Sequence, residues 1–132
     1  MEGGGGSDVL NGGLGADDIY GGSGGDGFYF SVLETSANRD IIEDFDHAEG
    51  DFLAIYSSQF SALASVSGNY LSANPQTFVL GTAATTGQQR IIYDQASGSM
   101  WYDDDGVGAH AKVLVATFAN NAAVVAGDIF IL

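Results

Sequence analysis

Residues 3–29 consist of three consecutive nine-residue repeats, GGGGSDVLN, GGLGADDIY and GGSGGDGFY. Each repeat has glycine at positions 1, 2 and 4, aspartate at position 6 and an apolar residue at position 8. A nine-residue period with one apolar position fits neither an amphipathic helix nor an alternating strand. It fits a short strand with one inward side chain, followed by a six-residue turn, so that two repeats make one coil and repeats two apart stack. The inward side chains are predicted to be Leu10, Ile19 and Phe28.

The turns of these repeats are predicted to bind cations. Their glycines permit positive φ and close backbone approach, which turns carbonyl oxygens inward, and the aspartate at position 6 adds a carboxylate. Two stacked turns offer only hard oxygen ligands, in a number that suits Ca²⁺ better than Mg²⁺. We expect Asp8 and Asp26 to share one ion, and Asp17 to share another with Asp40 of the turn Asn38–Arg39–Asp40. The candidate ligands are Gly3, Gly4, Gly6, Asp8, Gly12, Gly13, Gly15, Asp17, Gly21, Gly22, Gly24, Asp26, Asn38 and Asp40.

The charge of the chain supports cation binding. The 132 residues carry a formal net charge of −14, from 17 acidic and 3 basic residues, which argues against a nucleic-acid partner and against an anionic membrane surface. Twelve of the acids lie within residues 2–51, where they repel one another unless cations neutralise them. The alternative, a flexible glycine-rich linker, gives no reason for three apolar positions in phase.

The sequence after the repeats is predicted to be rich in β-strands. Residues 30–56 are expected to form two or three short strands, and the later β-rich runs are expected to form hairpins. These runs are FVL, RIIYD, SMWYDDD and AKVLVATF. A short helix is predicted within residues 57–67 after a serine cap.

Other candidate sites are less specific. The match to GxGxxG at 22–27 precedes a strand-like sequence instead of a helix, so a dinucleotide site is rejected. The run Asp103–Asp104–Asp105–Gly106 is either a second cation loop, with Asp103 and Asp105 as ligands, or an acidic turn. It is not an EF-hand, because the twelfth position is Leu114. Four further acids are candidates for peripheral ions: Asp44, Asp46, Glu49 and Asp51.

The remaining side chains do not predict catalysis. His47 and His110 lack zinc-binding spacing and are interpreted as isolated surface histidines. Trp101 and its neighbours are interpreted as an aromatic cluster of a sheet, with a sugar-stacking surface as the alternative. With no cysteine and no nucleophile motif, we expect no enzymatic activity and no disulfide. No classical signal peptide and no membrane span are predicted.

The repeats resemble those of the RTX (hemolysin-type calcium-binding) family, whose motif GGxGxDxUx all three match. The segment 39–45, followed by Gly50–Asp51, resembles the segment that closes the repeats in that family. Parts of residues 78–130 are similar to the terminal region of secreted RTX proteins. The resemblance implies a parallel β-roll, calcium-triggered folding outside the cell, and export by a type I (ABC) transporter directed by an uncleaved C-terminal signal. Residues 128–132 are accordingly a final strand, that signal, or both.

The predicted fold is therefore all-β: a short parallel β-roll at residues 1–36, capped at 37–132 by a β-rich region with one short helix. The predicted function is a calcium-binding module of a larger secreted bacterial protein, with Ca²⁺ and the secretion machinery as partners. The alternative is a calcium-rigidified adhesion or lattice module on the cell surface that binds carbohydrate or further copies of itself.

Overall fold

The computed structural model describes residues 1–33 and 39–132. Their strands are β1 (Glu2–Gly5), β2 (Val9–Leu10), β3 (Asp18–Ser23), β4 (Gly27–Phe30), β5 (Asp40–Ile42), β6 (Phe52–Ile55), β7 (Phe78–Leu80), β8 (Ile91–Asp94), β9 (Ser99–Tyr102), β10 (Val113–Phe118) and β11 (Ile129–Ile131). Short 3-10 helices lie at His47–Glu49, Ser61–Val66, Leu71–Ala73, Pro75–Thr77 and Ala126–Asp128. None of the helices in these residues is long and apolar enough to cross a membrane.

The strands form two sheets. A seven-stranded mixed sheet has the order β1-β3-β5-β10-β9-β8-β7, and a four-stranded sheet has the order β11-β6-β4-β2. All pairs in the smaller sheet are parallel. In the larger sheet, β9 runs antiparallel to both of its neighbours. Successive repeat strands thus alternate between the sheets, with β1 and β3 in one and β2 and β4 in the other.

The pairing of the repeat strands follows the predicted register. Gly4 pairs with Gly22 and Leu10 pairs with Phe28, each one coil of two repeats further along. Leu10, Ile19 and Phe28 are 3%, 2% and 1% exposed, which confirms the inward direction predicted for position 8. The period of the sequence therefore determined both the stacking partner and the buried face of each repeat.

The predicted fold class, however, is wrong. The described chain is a mixed fold of eleven strands and five short helices in a seven-stranded mixed sheet and a four-stranded parallel sheet, and not a simple all-β roll with a separate cap. The physical reason is that the repeats supply only two strands to each sheet, too few for a sheet to be stable by itself. Strands β5 and β6 pair directly with β3 and β4, and β10 and β11 extend the two sheets further.

The later part of the chain departs from the predicted hairpins at one place. The pairs β8–β9 and β9–β10 are antiparallel, as predicted, but β7 and β8 are parallel. The segment between them crosses back over their length, and the side chain of Gln89 holds it by accepting hydrogen bonds from the amides of Thr85 and Thr86.

The helix predicted within residues 57–67 is present as a 3-10 helix over Ser61–Val66, but Phe60 precedes it and no side chain caps it.

One core joins the repeats to the rest of the molecule. Phe45 is 1% exposed, and its ring lies 6.0 Å from that of Phe28 in a repeat and 5.4 Å from that of Phe118 in β10. Strand β11, predicted as the final strand, pairs in parallel with β6 and buries Ile129 and Ile131 completely. The secretion signal assigned to the same residues stays a prediction.

Candidate metal centres

The aspartates at position 6 of the repeats form hydrogen-bonded ladders along the stacked turns. The amide of Asp8 donates to Oδ1 of Asp26 at 2.8 Å, and the amide of Asp26 donates to Oδ1 of Asp51 at 2.8 Å. On the other side of the coil, the amide of Asp17 donates to Oδ1 of Asp40 at 3.2 Å. With one oxygen, each accepting carboxylate therefore binds the amide of the aspartate that precedes it in the same stack. The accepting residues are Asp26, Asp51 and Asp40.

The second carboxylate oxygen of each repeat aspartate has no partner. Oδ2 of Asp8, Asp17 and Asp26 is buried and accepts no hydrogen bond within the described part of the chain. Asp26 as a whole is 0% exposed. A buried polar atom without a partner costs about 1–3 kcal/mol, and more where the group is charged. The same unpartnered oxygen recurs at position 6 of all three repeats, and a cation is one partner that would satisfy such an atom.

The glycines at position 1 of the repeats leave the space that these carboxylates occupy. A Cβ on Gly12 would lie 2.7 Å from Oδ2 of Asp40 and 3.0 Å from Oδ2 of Asp17, so both carboxylates converge on this glycine. A Cβ on Gly21 would lie 2.6 Å from Oδ2 of Asp26. A side chain would fill the space beside the unpartnered oxygens.

The glycines at positions 2 and 4 serve the turn itself. All six have positive φ, between 79° and 114°: Gly4, Gly6, Gly13, Gly15, Gly22 and Gly24. Where two turns stack, a Cβ on Gly22 would overlap the carbonyl oxygen of Gly4. The backbones of the first and third turns therefore approach as closely as glycine allows.

The predicted ligands are thus brought together in two groups. The turn of Gly3, Gly4 and Gly6 with Asp8 stacks on that of Gly21, Gly22 and Gly24 with Asp26, and the turn of Gly12, Gly13 and Gly15 with Asp17 lies next to Asp40. Asn38, predicted as a ligand of the second group, lies outside the described residues. Asp18, at position 7 of the second repeat, is exposed.

Sequence reasoning missed how the segment 43–51 covers the third turn. The two carboxylate oxygens of Asp44 accept hydrogen bonds from the amides of Gly21 and Gly22, at 2.8 and 2.9 Å. Asp51 is 4% exposed. Burial raises its pKa, although the hydrogen bonds it accepts from the amides of Asp46 and Asp26 act in the opposite direction. The signal for Asp51 was in the sequence, since it precedes the buried Leu53 by two residues, as Asp26 precedes Phe28.

The same segment also contacts the last strand. Nδ1 of His47 lies 2.5 Å from Oδ1 of Asp128, whose other oxygen accepts a hydrogen bond from the amide of Val125. Asp128 is 5% exposed and directly precedes β11. His47 is therefore not the isolated surface histidine that its sequence context suggested.

A separate group of metal-ligand side chains lies in the loop between β9 and β10. Asp104, Asp105 and His110 each offer one ligand atom, all within 4.8 Å of one another, so the group could hold a metal ion. Nδ1 of His110 lies 3.0 Å from Oδ1 of Asp104 and 3.8 Å from Oδ2 of Asp105. The hydrogen bond with Asp104 raises the pKa of His110, and the hydrogen bond from the His110 amide lowers the pKa of Asp105.

The sequence-based prediction for this loop identified only one member of the group. Asp103, predicted as a ligand with Asp105, is buried, and its Oδ1 accepts hydrogen bonds from the amides of Asp105 and Gly106 at 3.2 and 3.0 Å. Its carboxylate thus shapes the turn. Asp104 and His110 were missed because six positions separate them in the sequence, and the turn brings them together.

Near this loop, the side chain of Lys112 covers one face of the Trp101 ring. Nζ of Lys112 lies 3.9 Å from the ring centroid of Trp101 and also donates a hydrogen bond to the carbonyl of Thr82. The indole is thereby part of a cation–π contact.

A scan against protein-family models finds no match to the chain, and a search of curated proteins finds no similar sequence.

Proposed function

We propose that the protein is a calcium-binding module whose repeats order when Ca²⁺ binds, as the resemblance to the RTX family implies for a secreted protein. The observation that carries this proposal is the unpartnered, buried Oδ2 at position 6 of all three repeats. Uncompensated buried charge of this kind is tolerated where a metal ion supplies the missing partner.

Two centres account for these oxygens. In the first, Asp8 and Asp26 hold the ion together with backbone carbonyls of the two stacked turns. In the second, Asp17 and Asp40 hold it with carbonyls of the turn that contains Gly12. The donors are carboxylates and carbonyls, which Ca²⁺ accepts in flexible sets of six to eight, whereas Mg²⁺ requires a tighter octahedron and retains its waters.

The ions also offset a charge that opposes folding. Twelve acids within residues 2–51 repel one another, and ordering glycine-rich turns costs more backbone entropy than ordering other residues. Binding to the folded state alone stabilises it by about 2.7 kcal/mol per site when the free ion is at about one hundred times its dissociation constant. Two such sites are comparable to the whole stability of a small domain.

The proposal is tested by calcium titration calorimetry on Asp26→Asn beside the matched control Asp18→Asn. Asparagine at 26 retains the oxygen that accepts the Asp8 amide and removes the buried charge, whereas Asp18 is exposed and one residue from a proposed ligand. Both variants change the net charge equally. We expect calcium affinity to fall about tenfold or more in Asp26→Asn and to remain near wild type in Asp18→Asn. Equal affinity in both variants would overturn the assignment.

A further inference from the structure

We propose that Asp104, Asp105 and His110 form a metal centre of a second kind, which binds a divalent transition ion such as Zn²⁺ through one imidazole nitrogen and two carboxylate oxygens. This centre is separate from the proposed calcium centres and does not depend on them.

The spacing of the ligand atoms suits a small ion. Zinc binds nitrogen at about 2.0–2.1 Å and carboxylate oxygen at about 2.0–2.2 Å, in tetrahedral geometry, which places two ligand atoms about 3.4 Å apart. The separations from Nδ1 of His110 are 3.0 Å to Asp104 and 3.8 Å to Asp105, on either side of that value. All three ligand atoms lie within 4.8 Å of one another, so side-chain rotations on this exposed loop would bring them around one ion.

The carboxylate of Asp105 is incompletely satisfied by the protein. Its Oδ2 accepts a hydrogen bond from the amide of His110 at 3.0 Å. Its Oδ1 is buried and accepts none within residues 1–33 and 39–132, a feature that it shares with the position 6 aspartates of the repeats and with no other residue of that part of the chain. Gly108 leaves the space for this carboxylate, since a Cβ there would overlap Oδ2 of Asp105.

The loop is held at both ends, so its ligands are positioned before any ion arrives. Tyr102 and Val113 pair across β9 and β10, which fixes the two ends of the loop, and the buried carboxylate of Asp103 fixes the turn by accepting the amides of Asp105 and Gly106. A support of this kind orients the ligands of protein metal sites.

The nitrogen ligand determines the class of ion. Calcium takes oxygen ligands, whereas imidazole suits zinc, copper, nickel and iron. Three protein ligands on an exposed loop leave a coordination position for water. The side chain of His110 is 70% exposed, so an ion reaches the group directly from solvent.

The test is Zn²⁺ titration calorimetry, with the visible spectrum of bound Co²⁺ as the second readout, on the full chain saturated with Ca²⁺. His110→Ala is compared with His47→Ala, because His47 is the other histidine of the chain and contacts one carboxylate, that of Asp128. We expect one high-affinity transition-ion site in wild type and in His47→Ala. We expect an affinity at least about tenfold lower in His110→Ala, because losing a residue that only hydrogen-bonds a metal ligand already lowers metal affinity by about 10–100-fold.

Two further results separate this proposal from the calcium proposal. Asp26→Asn is expected to retain the Co²⁺ spectrum, and His110→Ala is expected to retain the calcium response, with circular dichroism showing that both variants fold in Ca²⁺. A Co²⁺ spectrum and Zn²⁺ affinity that are the same in His110→Ala and wild type would overturn the proposal. Failure of the calcium-loaded wild type to bind Zn²⁺ would overturn it as well.

Discussion

Glycine at position 2 of the repeats has two roles, which are separated by comparing Gly4 of the first repeat with Gly22 of the third. Gly4 and Gly22 have nearly the same backbone conformation, with φ of 105° and 96°. A Cβ on Gly22 would overlap the carbonyl oxygen of Gly4, whereas a Cβ on Gly4 would have no described heavy atom within 4 Å. Gly4 thus requires glycine for its φ alone, and Gly22 also requires it for close stacking.

We therefore expect Gly22→Ala to be far more destabilising than Gly4→Ala in the calcium-loaded protein. The strain of a positive φ costs on the order of 1–3 kcal/mol in each variant, and Gly22→Ala adds the displacement of a stacked turn, for a total of several kcal/mol. Urea unfolding of both variants measures the difference. Equal losses of stability would mean that the first and third turns do not stack as described.

Residue types and spacing predicted the repeat aspartates and the position of Asp40 beside Asp17, but not the other contacts that complete their surroundings. A fixed nine-residue period identified Asp8, Asp17 and Asp26 without reference to any structure. The sequence marks Asp51 as a candidate ligand of a peripheral ion, whereas its spacing from Leu53 marks it as the counterpart of Asp26. Nothing local connects His110 to Asp104, because their contact arises from the turn that Asp103 shapes through backbone hydrogen bonds.

Among the elements, the segment from Glu43 to Asp51 links the repeats to the rest of the chain. Its acids satisfy backbone amides of the third turn, and its histidine contacts the residue before β11. Asp44 has the clearest role, because each of its two oxygens accepts one glycine amide. Amides at the end of a stack of turns would otherwise depend on water.

We expect Asp44→Ala to destabilise the calcium-loaded protein by about 1–3 kcal/mol, the range for loss of hydrogen bonds to a charged, half-exposed acceptor. Glu43→Ala is the control, since it removes the same charge one residue away and the Glu43 side chain makes no hydrogen bond to the described residues. Thermal unfolding in excess Ca²⁺ compares the two. A loss in Glu43→Ala as large as that in Asp44→Ala would show that charge, and not the two hydrogen bonds, is responsible.

The elements that the sequence predicted poorly are those fixed by partners distant in the chain. The period of the repeats predicted the parallel pairing of β1 with β3 and of β2 with β4, because it is a local property. The places of β10 and β11 beside β5 and β6 depend on packing between segments far apart, and the parallel pairing of β7 with β8 depends on a crossing segment without a sequence signature. The fold class was wrong for this reason, although most strands were anticipated.

For the whole molecule, two opposing terms determine whether the chain folds. A single apolar core joins the repeats to the later strands, which favours a compact state, and a net charge of −14 opposes it. The charge is concentrated in the first 51 residues, where the unpartnered carboxylate oxygens of the repeats also lie. Cations bound there would remove the repulsion and satisfy those oxygens in the same step, so we expect folding and calcium binding to be coupled.

The most direct test of this account is a calcium titration of the chelator-treated protein, followed by far-UV circular dichroism, with Mg²⁺ as the control ion. We expect a cooperative gain of strand signal with Ca²⁺ and not with Mg²⁺, at free calcium of about 10⁻⁴–10⁻³ M, the range of extracellular calcium modules. A protein that has its full strand signal in chelator, and whose unfolding temperature does not change when calcium is added, would contradict the account.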